Sequence, residues 1–175
     1  MLRALAVGIL LLMLTVLPSS GRATTLNELK VGIRVIEFMS NPPRGKVSLA
    51  LIYDPQVKAS VDDAQSLLHW LTDSGGTGKS ELVPILADVR QLDEGTTFRI
   101  GFVAAGMETH YAQIFEYARR NQTLIISADL SCVRAGKCTV GVAGAPRVEV
   151  IISQRAALSC GIEFTEAFRM MVTEN

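Results

Sequence analysis

The chain has 175 residues, with 17 basic and 17 acidic side chains, two histidines and three cysteines. That length suits one domain able to bury a sizeable core rather than several domains. The balanced charge excludes the basic footprint of a nucleic-acid binder and the polybasic patch of a membrane-surface protein.

Residues 1–23 open with a basic Arg3, run apolar from Ala4 to Leu17 and end in the small, polar stretch Pro18-Ser19-Ser20-Gly21-Arg22-Ala23. This is the pattern of a secretory signal, with cleavage expected after Ala23. The apolar run is shorter than the roughly 20 residues a membrane-spanning helix needs. No cysteine follows it as a lipid-attachment site, so the expected mature chain, residues 24–175, is an exported, soluble domain. Loss of Arg3 and Arg22 leaves that chain with an excess of two acidic groups.

Along the mature chain, Leu26 to Met39 spaces its apolar residues three and four apart, as an amphipathic helix does. Asn41-Pro42-Pro43 ends it, and Lys46 to Tyr53 reads as a buried strand closed by Asp54-Pro55. A second helix is expected near Ser60 to Thr72, with Ser60 as N-cap and Asp62 and Asp63 in its first turn. Asp73 to Ser80 ends in Gly78-Lys79-Ser80 and suggests a phosphate loop, but Asp73 stands where that motif needs glycine. A helix precedes the stretch and a strand follows it, the reverse of the required context, so it reads as a surface loop.

Leu82 to Leu86 and Thr97 to Val103 are short strands with a turn at Asp93-Glu94-Gly95 between them. Met107 to Arg120 is an amphipathic helix with Met107, Tyr111, Ile114, Phe115 and Ala118 facing inward. His110 on this helix has no acid or nucleophile beside it in sequence and reads as a solvated or half-buried side chain. Strands follow at Leu124 to Ser127, Cys138 to Val142 and Val148 to Ser153, then a final helix over Thr165 to Val172. Helices and strands alternate through the first two thirds, while the later strands come too quickly for crossover helices. The expectation is one α/β domain with a mixed sheet of five to six strands, helices packed on its faces and an antiparallel C-terminal part.

Export decides how the cysteines are read. Cys132 and Cys138 bracket five residues containing Gly136, a spacing that suits a disulfide across a strand-to-strand turn in an oxidising compartment. His69 and His110 lie far from them in sequence, so no metal set has the usual spacing. Cys160 is left as an unpaired thiol, expected to behave as a small buried hydrophobe. No Gly-x-Ser-x-Gly motif and no placed carboxylate pair occurs, and Trp70 sits among leucines where packing accounts for it. No catalytic, metal or cofactor residue is singled out.

Three places in the chain resemble the YfiR family of exported bacterial proteins. The first is Lys46 to Tyr53 with Asp54-Pro55. The second is Thr123 to Cys138, where Leu124, Ser127, Asp129 and Gly136 match. The third is Arg147 to Phe168, where Val148, Val150, Ile151, Ala156, Ala157, Gly161 and Ile162 match. The chain departs from the family at Phe98-Arg99, where members often carry a cysteine followed by histidine, which removes a second bridge. The resemblance implies a periplasmic α/β protein without enzymatic activity or cofactor. Its expected role is to bind the periplasmic part of an inner-membrane diguanylate cyclase and hold it inactive, controlling cyclic di-GMP and biofilm formation. A binding module for a small ligand or envelope polymer is the alternative, and a homodimer stays open.

Overall fold

The computed structural model describes residues 21–73, 81–94 and 97–175, and the first helix within them is capped by the residue just before it. Helix α1 (Leu26–Val35) has Thr25 as N-cap, with Thr25 Oγ1 accepting from Glu28 N–H and Glu28 Oε2 accepting from Thr25 N–H at 2.8 Å. This reciprocal pair satisfies two of the donors a helix start leaves open. A 3₁₀ turn over Ile36–Phe38 extends it.

Seven strands and five further α-helices follow among the described residues. They are β1 (Lys46–Tyr53), α2 (Lys58–Asp73), β2 (Glu81–Asp88), β3 (Ile100–Val103), α3 (Tyr111–Asn121), β4 (Leu124–Ser127), α4 (Leu130–Arg134), β5 (Val140–Ala143), β6 (Glu149–Ile152), α5 (Gln154–Ser159), α6 (Glu166–Arg169) and β7 (Thr173–Glu174). They form one sheet in the order β2-β1-β3-β4-β5-β6-β7. The first five in that order run parallel, β6 is antiparallel to β5, and β7 is parallel to β6. The α/β class and the mixed sheet match the expectation; the count is seven strands rather than five to six.

The central strands are buried on both faces, as a parallel sheet requires: β3 and β4 are buried throughout, and so are Leu49 to Ile52 of β1. Successive residues of β3 point to opposite sides. Phe102 lies against α1, where Gly32 brings the helix so close that a Cβ there would sit 3.0 Å from both Phe102 and Ile126. On the other side, Gly101 leaves room for Phe98, whose ring stacks on Tyr117 of α3 at 4.7 Å.

Several local expectations need correction. Helix α2 begins at Lys58, so Ser60 lies inside it and is not the N-cap, and Asp62 and Asp63 fall in the second turn. Ser60 is fully buried, accepting from Asp54 N–H at 3.1 Å and donating to Met107 Sδ. The strand expected from Thr97 starts at Ile100, and the one expected from Cys138 starts at Val140. Helix α3 starts at Tyr111 after a 3₁₀ turn over Glu108–His110. The last helix stops at Arg169, because the chain turns back to place β7 on β6. The loop reading for Asp73 to Ser80 lies outside the described residues except for Asp73, the end of α2.

The Cys132–Cys138 disulfide is present, with a Cα separation of 5.3 Å. It joins α4 to the residues before β5, not one strand to another: Leu130 to Arg134, which looked like part of a turn, close a short helix capped by Asp129. Both sulfur-bearing residues are fully buried. Cys160 is free and buried, and burial pushes its thiol up to about 11.

Candidate functional site

The order β2-β1-β3 means the chain moves one way across the sheet after β1 and the other way after β2. Such a reversal leaves a crevice outside the carboxyl ends of the two strands, where ligands of open α/β sheets bind. Here β1 leads into Asp54, β3 leads into Ala104 to Met107, and β4 leads into Ala128 and Asp129. The strands bring to one edge residues that lie dozens of positions apart.

Asp54 closes the turn into α2. Its Oδ1 accepts from Gln56 N–H at 2.8 Å, and its Oδ2 lies 2.9 Å from His110 Nε2. The histidine thus has an acid partner, supplied by the turn after β1 and 56 residues away in sequence. Its side chain keeps 23% of its exposure and that of Asp54 only 7%. Ser60 Oγ, which accepts from Asp54 N–H, is directed at Met107 Sδ and not at the Asp54 carboxylate.

Asp63 reaches back from α2. Its Oδ1 accepts from Thr24 N–H at 2.7 Å, and its Oδ2 accepts from Thr24 Oγ1 at 2.9 Å and from Ala105 N–H at 2.8 Å. Asp129 caps α4 through Ser131 N–H and takes the Tyr111 hydroxyl at 2.6 Å. Burial works to raise the Asp129 carboxyl, but the bonds from Tyr111 and Ser131 outweigh it and hold the group below the usual range. Burial and the same carboxylate push the Tyr111 phenol upward. Glu28 is held low in the same way: burial opposes ionisation, and the Arg22 ion pair with the Thr25 and Gly144 bonds outweighs it.

Beside Thr24 and Asp129 lies a cleft of about 240 Å³, lined also by Arg22, Ala105, Gly106 and Glu108. Gly106 sits at φ +72°, where a side chain would be strained. Asp54, Asp63 and Asp129 all have their donors supplied by the chain itself. Among the described residues no three His, Cys, Asp or Glu side chains stand together as a metal ion would need.

A second cleft, of about 310 Å³, opens at the far end of the sheet between α5, α6 and β7. It is lined by Ile152, Ala157, Leu158, Ile162, Phe164 and Arg169, among others. Leu158 is 80% exposed, and Met170 and Met171, which directly follow α6, are 78% and 68% exposed.

No protein-family model and no curated protein matches the chain. Solved structures do share the fold. One is the ABC domain in complex with L-Trp from Streptococcus pneumonia, at TM-score 0.60 and 9% identity, with 85% of this chain and 60% of that one covered. A conserved domain protein from Vibrio cholerae O1 biovar eltor superposes at TM-score 0.62 and 15% identity, covering 87% and 61%. A substrate binding protein with adhesive properties from Clostridium difficile, in its ligand-free, open form, gives TM-score 0.62 and 8% identity, covering 83% and 59%. The chain spans about 60% of the length of these neighbours. At such identities the likeness is one of fold.

The sequence singled out only the cysteines. It missed the edge formed by Thr24, Asp54, Asp63, His110 and Asp129, whose one local sign is Asp54-Pro55 directly after the mostly apolar strand Lys46–Tyr53. No helix among the described residues is long and apolar enough to cross a membrane.

Proposed function

We propose that this chain is an exported, non-enzymatic regulatory protein that binds the periplasmic part of an inner-membrane signalling protein. The partner class suggested by the resemblance to the YfiR family is a diguanylate cyclase, held inactive by the bound protein. The observation that carries the reading is the exposed Leu158 in the lining of the 310 Å³ cleft, with the exposed Met170 and Met171 directly following Arg169, which also lines it. Large apolar side chains grouped around a groove are the usual mark of a protein-binding surface. Leu158 lies within Arg147 to Phe168, one of the three segments that carry the resemblance. A repressor of this kind can shift its partner only by the difference in its affinity for the partner's two conformations.

The test is co-purification of the exported protein with the periplasmic domain of a membrane cyclase encoded beside it. A complex is expected, and Leu158→Glu with Met171→Glu should abolish it while leaving Tm unchanged. No complex, together with unchanged cyclic di-GMP on deletion, overturns the proposal.

The second reading is a binding module for a small ligand. The 240 Å³ crevice at the strand ends favours it, as does the likeness to a substrate binding protein and to a domain holding L-Trp. A rise in Tm with an amino acid or another small molecule, lost in Asp129→Ala, would favour it over the regulator.

A further inference from the structure

The peptide N–H of Thr24 is the donor that reaches Asp63 Oδ1, and it does so away from water: Thr24 is 4% exposed and Asp63 3%. Asp63 accepts three hydrogen bonds, all from neutral donors, and among the described residues no lysine, arginine or histidine pairs with it. A buried carboxylate held by neutral donors alone keeps its charge uncompensated, so a cation placed on it forms an ion pair with its hydrogen bonds already made. The bond before Thr24 follows Gly21-Arg22-Ala23, small residues at the two positions a signal-processing site requires.

We propose that cleavage between Ala23 and Thr24 turns the donor already seated on Asp63 into an α-ammonium group, so that processing completes a buried ion pair between the new N-terminus and α2. Hydrolysis of the Ala23–Thr24 amide takes up one water, leaving a carboxylate on Ala23 and an ammonium on Thr24. The inference rests on the export reading given above.

Asp63 Oδ2 also holds Ala105 N–H, in the turn that follows β3. The ion pair therefore ties three parts together at the crevice: the start of the mature chain, α2 and the loop after β3. Gly21 and Arg22, which processing removes, line that crevice. Arg22 pairs with the buried Glu28, and a Cβ on Gly21 would collide with Gly106 N. Processing therefore uncovers the crevice beside Gly106 and Glu108 while fastening its floor. Glu28 keeps its donors from Thr25 and Gly144 when Arg22 leaves.

The experiment uses the full chain expressed with its own leader, recovered from the cell envelope and weighed intact. The native protein is then treated near pH 7 with an amine-acylating reagent, and labelling of the N-terminal amine is read by peptide mapping. The expected N-terminus is Thr24. Its amine should acylate at least about tenfold more slowly in the native protein than in urea, since reaction requires the terminus to open first. In Asp63→Asn the native protection should be lost. A chain that starts at Thr24 but acylates equally fast folded and unfolded overturns the ion pair and leaves export standing. A chain that keeps residues 1–23, or begins elsewhere, overturns both this inference and the assigned cleavage. The native-against-urea comparison needs only the natural sequence, so a poorly folding Asp63→Asn does not remove the test.

Discussion

Replacing both bridged cysteines, Cys132→Ala with Cys138→Ala, should cost stability in two separable ways. The bridge closes a loop with a sequence separation of 6, and constraining so short a loop in the unfolded chain is worth about 2 kcal/mol. Both residues are fully buried between α4 and the start of β5, and each sulfur removed from such a site adds about 1 kcal/mol. The total is about 4 kcal/mol, which for a chain of this size lowers Tm by about 8–16 °C. Reduction without mutation removes the loop constraint and keeps the sulfur atoms in place. Unfolding and refolding the natural protein in a thiol reductant should therefore lower Tm by about 4–8 °C. Thermal unfolding followed by far-UV circular dichroism measures both. A loss below about 3 °C in the double variant would refute the reasoning, showing that helix α4 holds its place without the bridge. An unchanged Tm after reduction, with unchanged partner binding, would also remove any role for this bond as a redox sensor.

Three further outcomes follow from the geometry. Gly141 in β5 lies under α4, where an added Cβ would come within 3.0 Å of Leu130 Cδ2 and 3.1 Å of Val133 Cβ, so Gly141→Ala should destabilise by about 1–3 kcal/mol, measured by urea unfolding. Asp129 has its folded pKa depressed, so its contribution is present above the unfolded value, about 3.9, and is lost as pH falls through the folded value; the urea midpoint should drop less steeply with acid below about pH 4 in Asp129→Asn than in the natural protein, and equal slopes would contradict this. Cys160, with its thiol at about 11, should resist alkylation at pH 8 in the folded protein and react once unfolded, as mass spectrometry would show.

The local elements were readable where the pattern was unbroken. Lys46 to Tyr53 and Leu124 to Ser127 have the expected bounds, because continuous β-branched and apolar runs between punctuation are what a strand buried on both faces demands. Boundaries failed where a side chain had a distant partner. Ser60 looks like an N-cap and is instead held between Asp54 and Met107, and Asp63 looks like a first-turn acid and is instead spent on Thr24 and Ala105. A capping residue and a buried hydrogen-bonding residue are the same amino acids, so composition cannot tell them apart. The C-terminal helix was overextended for a similar reason: Thr165 to Val172 has helical spacing, but pairing of Thr173 and Glu174 with β6 is a tertiary event.

The sequence by itself determined the α/β class, the strands of the sheet's centre, and that Cys132 and Cys138 would pair while Cys160 would not, since these follow from periodicity, spacing and redox setting. Only the tertiary structure decided the strand order β2-β1-β3-β4-β5-β6-β7, and with it the meeting of Thr24, Asp54, Asp63, His110 and Asp129 at one edge. The physical reason is that strand order is set by which apolar faces cover one another across the whole sheet, a long-range choice that no window of the chain encodes. His110 shows the consequence: the acid nearest it in sequence is Glu108 of the same 3₁₀ turn, and in the folded protein it lies 2.9 Å from Asp54.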